Sequence, residues 1–379
     1  MENAVVTPWV VKGNIDYDAL IKEFGVSKID HKTLERIQKH TGELHPFLKR
    51  GIFFAHRDLN WILDEYEKGN KFFLYTGRSP SGNTHIGHIV PWIFTKWLQD
   101  KFDVELYFQF PDDEKFLFKP EMTLEDTKKY THENMLDVIA LGFNPKKTHF
   151  IVNTVHANLM YPQALRVAKK ITFSTAKASF GFTNETNIGA IFYTSMQAVP
   201  AFLPSVLKKK NIPCLIPHAI DQDPHFRVSR DVIPKLGYYK PASIQCRFLP
   251  GLAGMSSDGK MSASDARTAI YTTDDAKTIK NKINKYAFSG GQPTVEEHRK
   301  LGGNVDIDVP YQWLTFFEED DNRLKQIHDD YKSGKMLTGE IKAILIEKLT
   351  KFLEGHQKRR EKARDEINDF LLDEKKLAK

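Results

Sequence analysis

Cysteine is almost missing from this chain, with Cys214 and Cys246 the only two in 379 residues. That excludes a disulfide framework and a zinc knuckle, so both thiols are expected as packed core groups. No apolar run approaches the length of a membrane span, and no membrane partner is expected. The start, MENAVVTPW, has neither the basic region nor the apolar stretch of a signal peptide, which points to a cytoplasmic location. Internal repeats and low-complexity runs are lacking too. Neither sign of charge dominates: 55 Lys and Arg face 49 Asp and Glu, a net +6, with pI near 8.9. This favours a polyanionic partner such as RNA only weakly, because many solvated surfaces are as basic. What remains is a globular chain with apolar residues for a large core and length for two or three domains.

The chain is organised around Phe72 to His88, FFLYTGRSPSGNTHIGH. Phe72 to Tyr75 form an aromatic run of strand length, and Gly77, Pro80 and Gly82 stop it. After His88 the run Ile89, Val90, Trp92, Ile93, Phe94, Trp97, Leu98 is long enough for a buried helix. A glycine-bearing loop before a helix start suits an anion, because N–H groups there are unpaired and carry positive partial charge. His85 and His88 can then face phosphates. The loop lacks GxGxxG, which argues against a dinucleotide fingerprint, and no HExxH or cysteine cluster accompanies the histidines, so no metal site is expected. The plainer alternative is a loosened turn with two solvated histidines. Pro91 cannot donate to the Gly87 carbonyl, so the helix is either kinked there or regular only beyond it.

Upstream, Trp9, Val10 and Val11 followed by Gly13 and Asn14 suggest a short hairpin. Asp16 to Phe24, Thr33 to His40 and His56 to Lys68 read as helices. From Lys71 strands alternate with helices, the pattern of an α/β, doubly wound parallel sheet. Its strands are Phe72 to Thr76, Val104 to Phe110, Thr148 to Val152, Cys214 to Pro217 and Ala242 to Phe248. Ligands in such sheets sit at the carboxyl ends of strands where the order reverses. Gln109 lies inside one such end, with Asp112, Asp113 and Glu114 just beyond. For Asp112 and Asp113 an acidic helix start is explanation enough. Asp221, Gln222 and Asp223 follow another strand, and a ligand pocket accounts for them better than loop chemistry. About sixty residues intervene before Cys214, an insertion with helical patterns at Leu159 to Lys170 and Ile191 to Lys208. The loop LPGLAGMSSDGKMSASDARTAI has little to bury and carries Lys260, Ser262 and Ser264. Beyond Thr273 helices dominate: Thr294 and Glu297 have capping-box spacing, and Ile341, Leu345 and Leu349 belong to a helical stripe. The run HQKRREKAR reads as a solvated mixed-charge face. Three parts result: 1–70, hairpin and helices; 71–272, the α/β domain with its insertion at about 154–212; and 273–379, helical, its last helix returning to the α/β domain.

HIGH at His85 to His88 and KMSAS at Lys260 to Ser264, flanking an α/β domain with a helical domain after it, resemble class I aminoacyl-tRNA synthetases. TGRSPSG, TKWLQD, DDEK, AIDQDP, KMSASD, AFSGG and LTFFEEDD look like the eukaryotic and archaeal tryptophanyl branch. The similarity runs from TPWVV through LTGEIK. It implies a Rossmann-like catalytic domain, a helical anticodon-binding domain and a homodimer joined through the insertion. It also implies ATP-dependent activation of L-tryptophan and its transfer to tRNA(Trp), with Mg2+ accompanying the ATP. By resemblance Lys260, His85 and His88 are catalytic. Arg78, His85, Gly87, His88, Lys260, Met261, Ser262 and Ser264 bind ATP. Tyr75 and Gln109 match positions that bond the indole N–H. Glu114, Gln197 and Gln222 match those around the α-amino group. Trp9 matches the hairpin that folds over adenine. Pro111 stands where relatives commonly have Thr, and Ala263 replaces the second lysine of the general KMSKS pattern, leaving Lys260 the only motif cation. A tyrosyl enzyme of the same architecture and a non-catalytic RNA- or partner-binding relative are the alternatives.

Overall fold

The computed structural model describes residues 5–6, 11–12, 16–254, 261, 267 and 269–374. Trp9, Lys260, Ser262, Ala263 and Ser264 lie outside the described residues.

A two-stranded antiparallel pair, β1 (Val5–Val6) and β2 (Val11–Lys12), opens the chain. The pairs are Val5↔Lys12 and Val6↔Val11. The main sheet has seven strands in the order β3-β4-β9-β8-β5-β6-β7. Five are parallel: β5 (Phe73–Gly77), β6 (Glu105–Phe110), β7 (Thr148–Val152), β8 (Cys214–Ala219) and β9 (Ala242–Cys246). Each is buried on both faces, which is why the parallel strands read as continuous apolar runs.

Two strands were not anticipated. β3 (Ser27–Lys28) and β4 (Phe53–Arg57) add an antiparallel edge beyond β9. The segment expected to be helical from His56 begins as β4, and its helix runs only over Leu59–Glu67.

Alternation along the strands divides the core in two. Leu74, Leu106, Phe108 and Phe150 face the Ile86–Phe102 helix, contributing to one cluster with Ile86, Ile89 and Phe94. Phe73, Tyr75, Tyr107 and Ile151 face the insertion, packing with Met160, Tyr193 and Met196. Tyr75 thus reaches the insertion because it lies two residues from Phe73 on the same face. The insertion contains helices Ala157–Ala168, Phe173–Phe180 and Ile188–Ala198. The single helix expected over 191–208 is broken into Ile188–Ala198, a turn at Val199–Ala201 and Leu203–Leu207. Pro200 and Pro204 explain the breaks, since neither can continue the hydrogen-bond ladder.

From Ala276 to Lys362 the described segments are helical, ending in Thr338–Lys362, whose buried stripe is Ile341, Leu345, Leu349, Leu353, His356 and Arg360. The capping box at Thr294 and Glu297 is present. The basic run is not simply a solvated face: His356 Nε2 and Arg360 Nε both meet Asp137 Oδ1 at 3.1 Å, and Arg360 also pairs with Glu133. The chain then returns to the sheet, where Leu372 N–H donates to the Phe150 carbonyl at 2.9 Å and Phe370 stacks on Phe150. No helix among the described residues is long and apolar enough to cross a membrane.

Candidate active site

The parallel strands change direction of succession at β5, with β6 and β7 on one side and β8 and β9 on the other. A crevice opens beyond the carboxyl ends at such a point. Here it is a cleft of about 320 Å³ lined by Tyr75 to Ser79, Gln109, Glu114, His218, Ala219, Asp221, Gln222 and Cys246 to Leu249. The Ile86–Phe102 helix starts at its mouth, bringing His85, Gly87, His88, Pro91 and Trp92 to the wall.

Two glycines shape the mouth of the cleft. A Cβ on Gly77 would stand 2.7 Å from the Gln109 carbonyl oxygen, so only glycine lets β5 lie this close to β6 while the Arg78 N–H donates to that oxygen at 2.9 Å. A Cβ on Gly87 would stand 3.1 Å from His85 Nδ1 and 3.5 Å from Met261 Sδ. His85 and His88 stack with ring centroids 3.5 Å apart, and the His85 N–H donates to His88 Nδ1 at 3.2 Å. The helix is continuous through Pro91, so the bond missing at the Gly87 carbonyl does not end it. The segment after the KMSAS loop is tied to this helix start: Ile86 N–H donates to the Ile270 carbonyl and Thr272 N–H to the Thr84 carbonyl, each at 3.0 Å. Met261 is buried beside Gly87 on the same wall.

Arg78 is buried, with Nη1 donating to the Ser79 carbonyl at 2.7 Å while Nε and Nη2 find no partner among the described residues. Burial lowers its pKa to about 10, with Glu114 and Asp137 opposing the fall. A buried guanidinium with idle donors suits an incoming anion.

The opposite, closed end is a chain of hydrogen bonds. Tyr75 Oη donates to Gln109 Oε1 at 2.6 Å and accepts from Gln197 Nε2 at 2.9 Å. Gln109 Nε2 donates to Asn153 Oδ1 at 2.9 Å, and Asn153 Nδ2 to Asp113 Oδ1 at 2.8 Å. At the far side the Tyr193 hydroxyl is placed to donate either to Gln197 Oε1 or to Glu114 Oε2, the latter at 3.1 Å. Burial holds both phenols neutral, with pKa values well above normal. For Glu114 burial pushes upward, but the Lys115 ammonium at 2.9 Å and the Ser79 hydroxyl outweigh it and the carboxyl lies below its ordinary range. Asp113 goes the other way: burial, with Asp112 and Glu114 nearby, raises it to about 7.

Of the residues anticipated from sequence, Tyr75, Arg78, His85, Gly87, His88, Gln109, Glu114, Gln197, Gln222 and Met261 line this one cleft. Asp221 joins Gln222 there, but Asp223 does not: Arg57 clasps it at 2.8 and 2.9 Å and Arg227 at 3.0 Å. It is a structural clamp, contrary to the pocket reading. Pro111 caps the Asp112–Phe118 helix at the cleft wall. Cys214 and Cys246 are both buried, as expected.

Asn153, Tyr193, His218 and His225 were missed. Asn153 begins the tail of β7, the edge strand beside β6. His225, its pKa lowered to about 4 by burial, lines the wall from the Asp223–Val232 helix.

The family model described as tRNA synthetases class I (W and Y) matches residues 67–354. This chain belongs to that family. The synthetase is 54% identical over 375 residues to the tryptophan–tRNA ligase of Saccharolobus solfataricus, covering 99% of this chain and 96% of the relative. To the cytoplasmic tryptophan–tRNA ligase of Saccharomyces cerevisiae it is 49% identical over 393 residues, covering 100% and 90%. The solved Plasmodium falciparum tryptophanyl-tRNA synthetase superposes on this synthetase with a TM-score of 0.89 at 45% identity, over 96% of this chain and 98% of that one.

Proposed function

We propose that this synthetase activates L-tryptophan with ATP, giving tryptophanyl-AMP and pyrophosphate, and then transfers tryptophan to tRNA(Trp). The observation that carries the reading is the pair of acceptors, Tyr75 Oη and Gln109 Oε1, 2.6 Å apart at the closed end of a cleft whose mouth is the HIGH helix start. Each oxygen keeps a lone pair for a ring N–H. A tyrosine phenol could also donate to them, and the choice of tryptophan over the family's other substrate is supported by the tryptophan–tRNA ligases this chain resembles over its whole length.

In the first step the substrate carboxylate attacks the α-phosphorus, the α–β phosphoanhydride bond breaks and pyrophosphate leaves with the electron pair. Glu114, with Gln197 and Gln222, holds the α-ammonium group; Arg78, His85 and His88 meet phosphate oxygens. Lys260 and the hydroxyls of Ser262 and Ser264, assigned by their motif, neutralise charge growing on pyrophosphate. Magnesium bound to the ATP phosphates would shield the same charge. In the second step a ribose hydroxyl of the terminal adenosine, the 2′ in class I, attacks the activated carbonyl and AMP departs.

The assembly part of the reading is a homodimer through the insertion. It is supported by five large apolar side chains exposed there: Val155, Tyr161, Leu165, Phe173 and Ile188, the last 85% exposed. The hairpin with Trp9 covers adenine, the helical part after 273 reads the anticodon, and the location is the cytoplasm. A tryptophan-dependent ATP–pyrophosphate exchange assay tests the activity. Exchange with tryptophan and none with tyrosine is expected; exchange with neither would overturn the reading. A monomer by sedimentation would refute the dimer.

A further inference from the structure

The closed end of the cleft holds more order than binding a ring requires. Seven groups form one chain, Asp113, Asn153, Gln109, Tyr75, Gln197, Tyr193 and Glu114, joined by six contacts. The five inner groups each supply one proton along the chain, through an amide N–H or a phenol O–H. With both terminal carboxylates ionised, five protons serve six contacts, and one contact goes unfilled. In the arrangement described, the other four donors point toward Asp113, while the one Tyr193 proton is within reach of both Gln197 Oε1 and Glu114 Oε2 and can fill only one of these contacts. A sixth proton on Asp113 would fill the chain by reversing it. Asp113 would donate to Asn153, the three amides would turn over, and Tyr193 would donate to Glu114. Gln109 would then turn its Nε2, instead of its Oε1, toward Tyr75 and the cleft.

We propose that Asp113 is a positioning residue that sets the direction of this chain, and so decides whether Gln109 offers the substrate ring an acceptor or a donor. This rests on the reading of Tyr75 and Gln109 as the groups that meet the indole N–H. The ionised carboxylate, an acceptor only, holds the N–H-reading direction; the protonated one favours the reverse. Of the two chain ends Asp113 is the one that changes state near neutrality, raised to about 7, whereas Glu114 is held ionised. The charged groups around Asp113 are Asp112 and Glu114 on its own helix, and Asn153 bonds it from the end of β7. Lys115 pairs with Glu114. Tyr193 of the Ile188–Ala198 helix feels both Asp113 and Glu114 but stays neutral, and His225 interacts with Glu114 and is held neutral by burial.

The test is pyrophosphate exchange with tryptophan and with 3-(benzofuran-3-yl)alanine, in which oxygen replaces the ring N–H, for the parent and Asp113→Asn. Groups on the phosphate side act on both amino acids alike, so the ratio of the two kcat/KM values isolates the ring. In the parent the preference for tryptophan should fall about tenfold between about pH 8.5 and about pH 6, roughly what a lost buried hydrogen bond costs. In D113N, whose amide can donate to Asn153 at any pH, the preference should be low and flat. A parent ratio that does not change with pH, or a D113N ratio matching the parent's at every pH, would overturn the proposal. If the parent shows no preference at about pH 8.5, the indole reading itself fails and the relay with it. Should D113N not fold, the parent's profile alone decides.

Discussion

The two ends of the cleft treat their polar groups in opposite ways. At the ring end Tyr75, Gln109, Gln197 and Asn153 already bond one another, so the acceptor pair is set before any ligand arrives. At the other end Arg78 is buried, with two donors idle among the described residues. Under the proposed function the first arrangement would select, because a ring without an N–H leaves a rigid acceptor unmet; the second would stabilise charge, because its donors are not spent on other described residues.

The largest effect should come from the phosphate side. Lys260→Ala should slow adenylation by about 3 kcal/mol, a hundredfold or more, with tryptophan binding nearly intact. Pre-steady-state activation rates check it, and equal rates would erase the distinction between the ends.

Tyr75→Phe should cost about 2 kcal/mol of folding stability in urea, because it strands Gln109 Oε1 and Gln197 Nε2 in a buried site. A loss under half a kcal/mol would mean the ring end is not pre-bonded.

Asp113 gives that stability a pH dependence. Its folded pKa, about 7, lies above the ordinary 3.8. A carboxyl raised in this way contributes fully below the unfolded value and loses its contribution as pH rises through the folded one. The stability of D113N relative to the parent should therefore grow by about 3 kcal/mol from about pH 4 to about pH 7 and level off above, as urea midpoints would show.

Arg78→Met should sharpen the contrast most. Replacing a buried, half-bonded cation by a thioether of similar length should leave folding stability unchanged or raise it by about 1 kcal/mol while the KM for ATP rises about tenfold. A marked fall in stability would place Arg78 among structural groups.

How far the sequence discloses this differs between the ends and between core and edge. β5 to β9 are legible because strands buried on both faces must be apolar throughout. β4 is not, since His56 and Arg57 dilute its pattern and only pairing with β9 makes it a strand. At the phosphate end the glycines and histidines are close in sequence, so the loop and helix start could be read locally. The ring end is assembled from β5, β6, the tail of β7 and a helix of the insertion. Tyr75 and Gln109 entered through resemblance, while Asn153 and Tyr193 emerged only from the fold. Asp113 was hidden by a sufficient local explanation, as a carboxylate at a helix start.

The central claim is that the Tyr75 and Gln109 oxygens read the ring nitrogen. It is tested most directly by kcat/KM for tryptophan and for an analogue with that nitrogen replaced by carbon, in the parent and in Gln109→Ala. The parent should prefer tryptophan, and the variant should prefer it less, by about 1 kcal/mol or more, with the KM for ATP barely moved. Unchanged discrimination in Gln109→Ala would contradict the account.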